Sequence, residues 1–234
     1  MEGKVQRRED HARLVLDAGE RDDETEELWA RADVLAVACG GHAGDAASMR
    51  RLADFCRARP RPALGAHPSY PDRAGFGRRS IAMASDVLEA RVAEQCAALA
   101  AIARDTNTKV RFVKPHGALW HDARAREDVA SAVLRGAIAA LGRDVVVIGP
   151  TDGALRAATA AIGVAYAREG FADRGVRSDG TLVPRGEPGA LVTDPATAAA
   201  RARALATSVE MVCVHGDGPN ALAIARAVRE ALDG

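Results

Sequence analysis

Seven short apolar runs alternate with longer segments of helical periodicity, and this order restricts the fold more than any other feature of the sequence. No run exceeds seven residues, and most are apolar on both faces, as parallel strands covered by helices are. The sequence therefore predicts seven buried strands. They occupy residues 13–17, 33–39, 62–66, 109–114, 144–149, 164–168 and 210–215.

Segments with helical periodicity separate most of these runs. The predicted helices cover residues 47–58, 86–105, 126–141, 153–162, 196–206 and 220–232. A repeated strand–helix order predicts an α/β fold with a parallel sheet and right-handed crossovers. Because no GxGxxG turn follows the first strand, a closed seven-stranded parallel (β/α) barrel is favoured over an open sheet.

The chain of 234 residues contains no low-complexity linker and no internal repeat. We therefore expect a solvated N-terminal extension over residues 1–11 and a single barrel domain over residues 12–234. Two segments, residues 67–80 and 169–190, lack helical periodicity and contain aromatic, carboxylate and arginine side chains. Long loops in a compact domain are usually functional or disordered, and this composition favours function.

Charge and composition exclude several classes of protein. The 32 basic and 32 acidic side chains cancel, and aromatic residues make up only 3%, which argues against nucleic-acid binding. No apolar run approaches the roughly 18 residues that span a bilayer, and the N-terminus lacks the apolar core of a signal peptide. Cys39, Cys56, Cys96 and Cys213 lie far apart, which indicates buried free thiols. We expect a cytoplasmic protein.

Polar side chains gather where the predicted strands end. Five of the six histidines lie at or shortly after a strand end, and carboxylates and one lysine accompany them. Because ligands of barrels and open α/β sheets bind at the carboxyl ends of the strands, we expect these side chains to meet at one rim. The candidate catalytic residues are Asp17, Glu20, His42, Asp45, His67, Lys114, His116, Glu169, Asp173, His215 and Asp217. For Asp45, capping of the next helix is an equally good interpretation.

This set of side chains suits hydrolysis or proton transfer at a carbonyl group. A lysine or arginine stabilises a developing oxyanion or a phosphate, while a histidine or carboxylate moves protons. The sequence contains no GxxxxGK[ST] loop, so ATP would not be held here in a standard P-loop. It also lacks a GxSxG nucleophile elbow.

Several blocks of the sequence resemble the signature blocks of the LamB/YcsF family, which comprises the A subunits of 5-oxoprolinases. They are DAGE (17–20), ACGGHAGD (38–45), GAHPSYPDRAGFGRR (65–79), VKPHGALW (113–120), REGFADRGVRSDGTLVPR (168–185) and CVHGDGPNAL (213–222). The resemblance implies a seven-stranded α/β barrel that is distantly similar to polysaccharide deacetylases. It also implies ATP-dependent opening of the lactam of 5-oxoproline (pyroglutamate) to glutamate, in a complex with 5-oxoprolinase subunits B and C.

The implied reaction gives the cations and histidines possible roles. A five-membered lactam is an unactivated amide, and phosphorylation of its oxygen would explain the need for ATP. Cations would neutralise the phosphate or the substrate carboxylate, and the candidates are Lys114, Arg78, Arg174 and Arg185. Proton transfer would fall to His67, His116 or His215, oriented by Asp17, Asp173 or Asp217. The resemblance leaves open whether a divalent metal takes part.

Four positions depart from the usual family pattern. Arg13 and Val15 stand where Asp and Asn are usual, and Ala36 and Gly41 replace Asn and Phe. Two alternatives to lactam hydrolysis therefore stay open. One is a metal-dependent amide hydrolase of the deacetylase type, with His42, His67 and Asp17 as ligands. The other is a degenerate family member that keeps the barrel without catalysis.

Overall fold

Seven parallel strands form a closed barrel in the computed structural model, which describes residues 11–177 and 181–234. Each strand pairs with the next along the chain, and the last strand pairs with the first, so the predicted closed barrel is confirmed. The strands are β1 (Arg13–Ala18), β2 (Val34–Ala38), β3 (Ala63–His67), β4 (Val110–Val113), β5 (Val146–Gly149), β6 (Tyr166–Phe171) and β7 (Met211–His215).

Helices surround this barrel. They are α1 (Glu26–Trp29), α2 (Ala46–Arg57), α3 (Ser85–Asp105), α4 (Gly117–Ala125), α5 (Glu127–Leu141), α6 (Ala154–Ala161), α7 (Pro195–Leu205) and α8 (Ala221–Asp233). The sequence did not predict α1 and α4, because four and nine residues carry too little apolar periodicity. The six predicted helices are all present, with boundaries shifted by one residue at most ends.

Strand β6 corrects one boundary that matters for function. The predicted run ended at Arg168, whereas the strand continues through Phe171. Glu169 therefore lies within the barrel wall and is buried, although we expected it in the loop that follows the strand. The two consecutive charged residues Arg168 and Glu169 interrupted the apolar run. Apolar periodicity does not detect a strand residue whose polar side chain faces the barrel interior.

The barrel interior is a separate, small apolar layer below the carboxyl ends of the strands. Its buried members are Val15, Val34, Ala36, Phe112, Trp120, Ile148, Ala167, Phe171, Met211 and Cys213. Side chains alternate along a strand, so Asp17 follows Val15 on the inner face one layer higher. The strand register places Asp17 beside Ala36 on β2 and beside His215 on β7. Asp17 thus stands at the boundary between the apolar interior and the rim.

Two further expectations concern the thiols and the chain start. All four cysteines are buried and free, as predicted. The predicted N-terminal extension lies outside the described residues except for His11, which is exposed. No helix in the described part of the chain is both long and apolar enough to cross a membrane.

Candidate active site

A cavity of about 280 Å³ opens at the carboxyl ends of the barrel strands. Strand ends contribute its floor, and the loops after β3, β4 and β6 contribute its walls. Charged and apolar side chains both line it. The lining side chains include Asp17, His67, Arg78, Lys114, His116, Trp120, Phe171, Arg174, Leu182, Arg185 and His215. A small concave space of this composition is typical of a binding site for a small molecule.

Lys114 is the buried cation at the floor of the cavity. Its Nζ donates to Asp17 Oδ1 at 2.6 Å and lies 3.0 Å from Cys213 Sγ. Burial alone would lower the pKa of Lys114, but the combined effect of Asp17, Glu169 and its other buried neighbours outweighs burial and holds that pKa well above its usual value. Burial would likewise raise the pKa of Asp17, yet His67 and Lys114 lower it further than burial raises it. The floor therefore holds a permanent ammonium–carboxylate pair.

Glu169 is the second carboxyl group near Lys114. Its Oε1 accepts a hydrogen bond from Trp120 Nε1 at 2.5 Å, and its Oε2 lies 3.2 Å from Lys114 Nζ without a hydrogen-bond partner. Burial raises the pKa of Glu169, and the nearby Lys114 offsets only part of this rise. Asp17 and Glu169 thus differ in protonation preference, although both contact the same lysine.

His215 and Asp173 form a buried dyad at the end of β7. Asp173 Oδ1 lies 2.9 Å from His215 Nδ1, and Asp173 Oδ2 accepts the backbone N–H of His215 at 2.8 Å. This pairing leaves His215 Nε2 directed toward the cavity floor, 3.6 Å from Asp17 Oδ2. Burial lowers the pKa of His215, but the charge and the hydrogen bond of Asp173, together with the charge of Asp17, outweigh it and the net effect is a raised pKa. The dyad therefore favours an imidazolium that can give up a proton.

A buried cluster of one carboxylate and three imidazoles adjoins the cavity. Glu20 Oε1 lies 3.0 Å from His42 Nε2 and 3.2 Å from His116 Nδ1. His67 Nε2 lies 3.0 Å from His116 Nδ1. Burial lowers the pKa of His42 to about 3 and also lowers the pKa of His116. These two imidazoles therefore favour their neutral form.

Arginines converge on one carboxylate at the mouth of the cavity. Asp217 Oδ2 accepts from Arg78 at 2.7 Å, and Arg185 donates to both oxygens of Asp217 at 2.9 and 3.0 Å. Arg174 instead donates to the backbone carbonyls of Ala190 and Val183, which fixes the loop after β6. Asp217 therefore orients two guanidinium groups, whereas the sequence suggested that it might orient a histidine. Two guanidinium groups thus share one carboxylate in the described part of the mouth.

Asp45 is the one candidate that lies away from the cavity. It is exposed and occupies the N-cap of α2, where its carboxylate accepts the backbone N–H of Ser48 at 2.8 Å. The backbone N–H of Asp45 in turn donates to the Ser48 hydroxyl at 2.9 Å. This reciprocal arrangement is a capping box, so the helix-capping interpretation of Asp45 is confirmed.

Sequence reasoning missed two residues that organise the site. Glu24 accepts the backbone N–H groups of Gly19 and Glu20 at 2.8 and 2.9 Å, and so holds the loop that presents Glu20. Its position four residues after Glu20 was the only available signal. Cys213 contacts the Lys114 ammonium group from inside the barrel. Because Cys213 lies in an apolar strand, the sequence did not distinguish this thiol from those of the other three cysteines.

Three of the four departures from the family pattern lie near the cavity floor or behind one loop, whereas Arg13 is exposed at the start of β1. Val15 and Ala36 belong to the apolar interior layer, with Ala36 beside Asp17 in the strand register. Gly41 lies against the Ser69–Gln95 pair, because a Cβ at Gly41 would stand 2.4 Å from Ser69 Oγ and 2.3 Å from Gln95 Oε1. Gln95 in turn bonds the backbone N–H and C=O of Ser69 at 3.0 and 2.8 Å. The absence of a side chain at Gly41 thus leaves space for the Gln95–Ser69 hydrogen bonds, which hold the loop after His67 in place.

The metal-ligand set expected for a deacetylase-type enzyme is divided between two groups. His42 and His67 cluster with Glu20 and His116, while Asp17 clusters with Cys213 and His215. The two groups adjoin, since Asp17 Oδ2 lies 3.4 Å from His67 Nε2.

Comparison with known proteins shows which family shares this fold and the sequence blocks quoted above. The model of the LamB/YcsF family matches residues 21–234. The A subunit of 5-oxoprolinase from Symbiobacterium thermophilum is 41% identical, with 84% of this chain and 80% of that protein aligned. The corresponding A subunit from Streptomyces coelicolor is 44% identical over 84% of each chain.

A solved structure agrees with these sequence matches. The crystal structure of the lactam utilization protein from Thermus thermophilus superposes with a TM-score of 0.85 at 30% identity, and the match covers 95% of this chain and 96% of that one. The resemblance detected in the sequence blocks is thereby confirmed. The chain belongs to the LamB/YcsF family.

Proposed function

We propose that this chain is the A component of an ATP-dependent 5-oxoprolinase and that its barrel cavity hydrolyses the lactam of 5-oxoproline to L-glutamate. The observation that carries the proposal is the cavity itself, which combines the buried Lys114 ammonium group with the His215–Asp173 dyad in a space of about 280 Å³. The relatives are named as 5-oxoprolinase components, and these names support this substrate.

The reaction makes separate demands that these side chains meet. Two waters are consumed in the net reaction: the lactam C–N bond breaks, a C–O bond forms at the carbonyl carbon, the freed nitrogen takes up a proton, and ATP is cleaved to ADP and phosphate. Lys114 stabilises negative charge on the carbonyl oxygen, because a buried ammonium is already oriented and requires no reorganisation. His215, with its raised pKa, protonates the leaving nitrogen.

The cations at the mouth suit the substrate carboxylate. Among the described residues, Arg78 and Arg185 both pair with the carboxylate of Asp217, so two guanidinium groups share one negative charge there. A guanidinium binds a carboxylate through directed, charge-assisted hydrogen bonds. We therefore assign recognition of the 5-oxoproline carboxylate to Arg185, with Arg78 beside it.

The sequence has no P-loop, so no standard phosphate-binding loop holds ATP in this chain. The relatives are named as one subunit of an enzyme, which indicates an assembly of several chains. We propose that subunits B and C complete the enzyme and that ATP binds in them. The cytoplasmic location predicted from the sequence stays a prediction.

The test is reconstitution of the complex from separately purified subunits. We expect glutamate to form from 5-oxoproline only when this chain, subunits B and C, and ATP are all present. An assembled complex that consumes ATP without releasing glutamate would contradict the proposed reaction. Turnover by the wild-type chain would exclude the degenerate alternative, because a non-catalytic member supports no reaction.

A further inference from the structure

We propose that Glu20, His67 and His116 form a binding site for one divalent transition-metal ion, Zn²⁺ or a neighbour of similar ligand preference, at the edge of the cavity. Two imidazoles and one carboxylate form a ligand set that proteins use for zinc. All three side chains are buried. The site rests on the geometry of these residues and does not depend on which amide the cavity accepts.

The outer nitrogens of both imidazoles already have partners that fix their tautomers. His67 Nδ1 donates to the backbone carbonyl of Lys114 at 2.7 Å, and His116 Nε2 donates to the carbonyl of Phe76 at 3.0 Å. A carbonyl only accepts, so each of these nitrogens carries a proton. Metal-binding histidines are typically oriented by this kind of outer hydrogen bond.

When both rings are neutral, their inner nitrogens present lone pairs to each other. His67 Nε2 and His116 Nδ1 are 3.0 Å apart, and Glu20 Oε1 lies 3.2 Å from the latter and 3.8 Å from the former. Two lone pairs and a carboxylate at these distances repel one another unless a cation lies between them. The other oxygen of Glu20 is buried without a hydrogen-bond partner.

Two of the three distances, 3.0 and 3.2 Å, are close to the separation that one ion requires, and the third, 3.8 Å, is longer. An ion bound tetrahedrally at about 2.0–2.1 Å from each ligand atom separates those atoms by roughly 3.3 Å. The rings of His67 and His116 are nearly perpendicular, at 89°, so the two imidazoles are not stacked on each other and approach through their nitrogen atoms.

His42 has a different part in this cluster. Its ring stacks on His116 at 3.6 Å with an angle of 3° between the planes, so the two in-plane lone pairs cannot point at the same ion. His42 Nε2 instead donates to Glu20 Oε1 at 3.0 Å and positions the ligating carboxylate. Three protein ligands leave a coordination position open, and it faces the cavity because His67 and His116 line it. An ion there would act as a Lewis acid next to a bound substrate.

The proposal is tested by metal content and by the visible spectrum of bound Co²⁺. The chain is stripped with a chelator, loaded with Zn²⁺ or Co²⁺ and desalted. We expect about one ion per chain and the intense visible bands of a four- or five-coordinate Co²⁺ site. Glu20→Gln and His116→Gln should weaken binding at least tenfold. His42→Ala should weaken it about 10–100-fold with the stoichiometry unchanged, as loss of an outer partner does.

Two matched variants separate this site from its surroundings. His121→Gln removes a histidine that lines the cavity outside the cluster, and it should bind the ion like the wild type. His215→Gln removes a histidine of the adjoining Asp17–Cys213–His215 group, and it should also retain the ion. Circular dichroism in chelator confirms that each variant is folded.

Two outcomes would overturn the proposal. One is a wild-type chain that retains no Zn²⁺ or Co²⁺ after desalting, which would mean that the inner nitrogens of His67 and His116 share a proton. The other is binding that survives Glu20→Gln and His116→Gln but is lost in His215→Gln. Failure of 5-oxoproline turnover would leave the binding result intact, so the two proposals fail separately.

Discussion

At the scale of single residues, the main feature of the site is a set of charged side chains that are buried away from solvent. Lys114 is 2% exposed and contacts Asp17 and Glu169 from the barrel interior. A buried ammonium group interacts strongly with developing negative charge, since no solvent screens it. The same burial makes its loss costly, because the carboxylate partners would remain without compensation.

Replacement of Lys114 by methionine tests this double role. Lys114→Met keeps the length of the side chain and removes its charge. We expect turnover of 5-oxoproline to fall on the order of 10²–10³-fold, and the free energy of unfolding to fall by about 3–5 kcal/mol. Lys109→Met makes the same change at an exposed residue just before β4 and should alter neither quantity. Turnover near the wild-type rate in a folded Lys114→Met chain would remove this lysine from the catalytic set.

The His215–Asp173 dyad predicts a definite pH dependence. The pKa of His215 is raised in the folded chain, so the pair stabilises the fold fully below the unfolded pKa of about 6.5. This stabilisation is lost as the pH rises through the higher folded pKa. The difference in unfolding free energy between wild type and His215→Gln should therefore shrink from pH 6 toward alkaline pH, as measured by urea unfolding at several pH values. A constant difference would contradict an imidazolium at this position.

At the scale of elements, the loop after β3 and the start of α4 pack against each other through two glycines. The backbone N–H of Ala118 donates to the carbonyl of Gly77 at 2.9 Å. Gly117 has a φ of +54°, and a Cβ there would lie 2.5 Å from the oxygen of Gly77. This close contact between Gly77 and Gly117, called the glycine crossing below, fixes the positions of the adjoining residues Arg78 and His116.

Gly117→Ala should therefore damage both stability and activity. The substitution combines a left-handed backbone with a steric clash, and we expect a loss of about 1–3 kcal/mol in unfolding free energy together with reduced turnover. Gly163→Ala provides the control, because Gly163 also has a positive φ, of +68°, but a Cβ there meets nothing within 4 Å. It should cost about 1 kcal/mol and leave turnover unchanged. Equal effects of the two variants would show that the glycine crossing itself is unimportant.

Local patterns along the chain predicted the elements well and the contacts between side chains poorly. The alternation of apolar runs and helical segments is a local property, and it was sufficient for the barrel. It failed at Glu169, where an inward polar side chain interrupted a strand, and at α4, which is short. The partners of Asp217 and the orientation of His42 depend on how three separate loops fold over the rim. Such loop geometry leaves no periodic signal in a sequence.

At the scale of the whole molecule, three strand ends supply the mouth of the cavity with charge. Arg78 follows β3, Arg185 follows β6, and Asp217 follows β7. The carboxylate of Asp217 pairs with both guanidinium groups, so the proposed recognition of the substrate carboxylate depends on loops that are distant in sequence.

Arg185→Gln should weaken substrate binding more than it slows the chemical step. Loss of a charge-assisted hydrogen bond costs about 1.5–3 kcal/mol, and we expect a rise of roughly 10–100-fold in KM for 5-oxoproline with a smaller change in kcat. Arg177→Gln alters an exposed arginine of the same loop, which pairs with Glu187, and should leave KM unchanged. A kcat that falls while KM is unchanged would place Arg185 with the reacting atoms instead.

The active site is complete only when β1 pairs with β7, and these two strands are far apart in sequence. Asp17 and Cys213 lie 196 positions apart in sequence, and Asp17 and His215 face each other across this seam. Contacts of such long sequence separation form late, because the loop entropy must be lost before the contact is gained. If the helices have formed but β1 and β7 are not yet paired, Asp17 lacks its neighbours on β7 and the cavity has no floor. Enzymatic activity therefore reports completion of the barrel, and a refolding assay based on turnover should lag behind one based on helix formation.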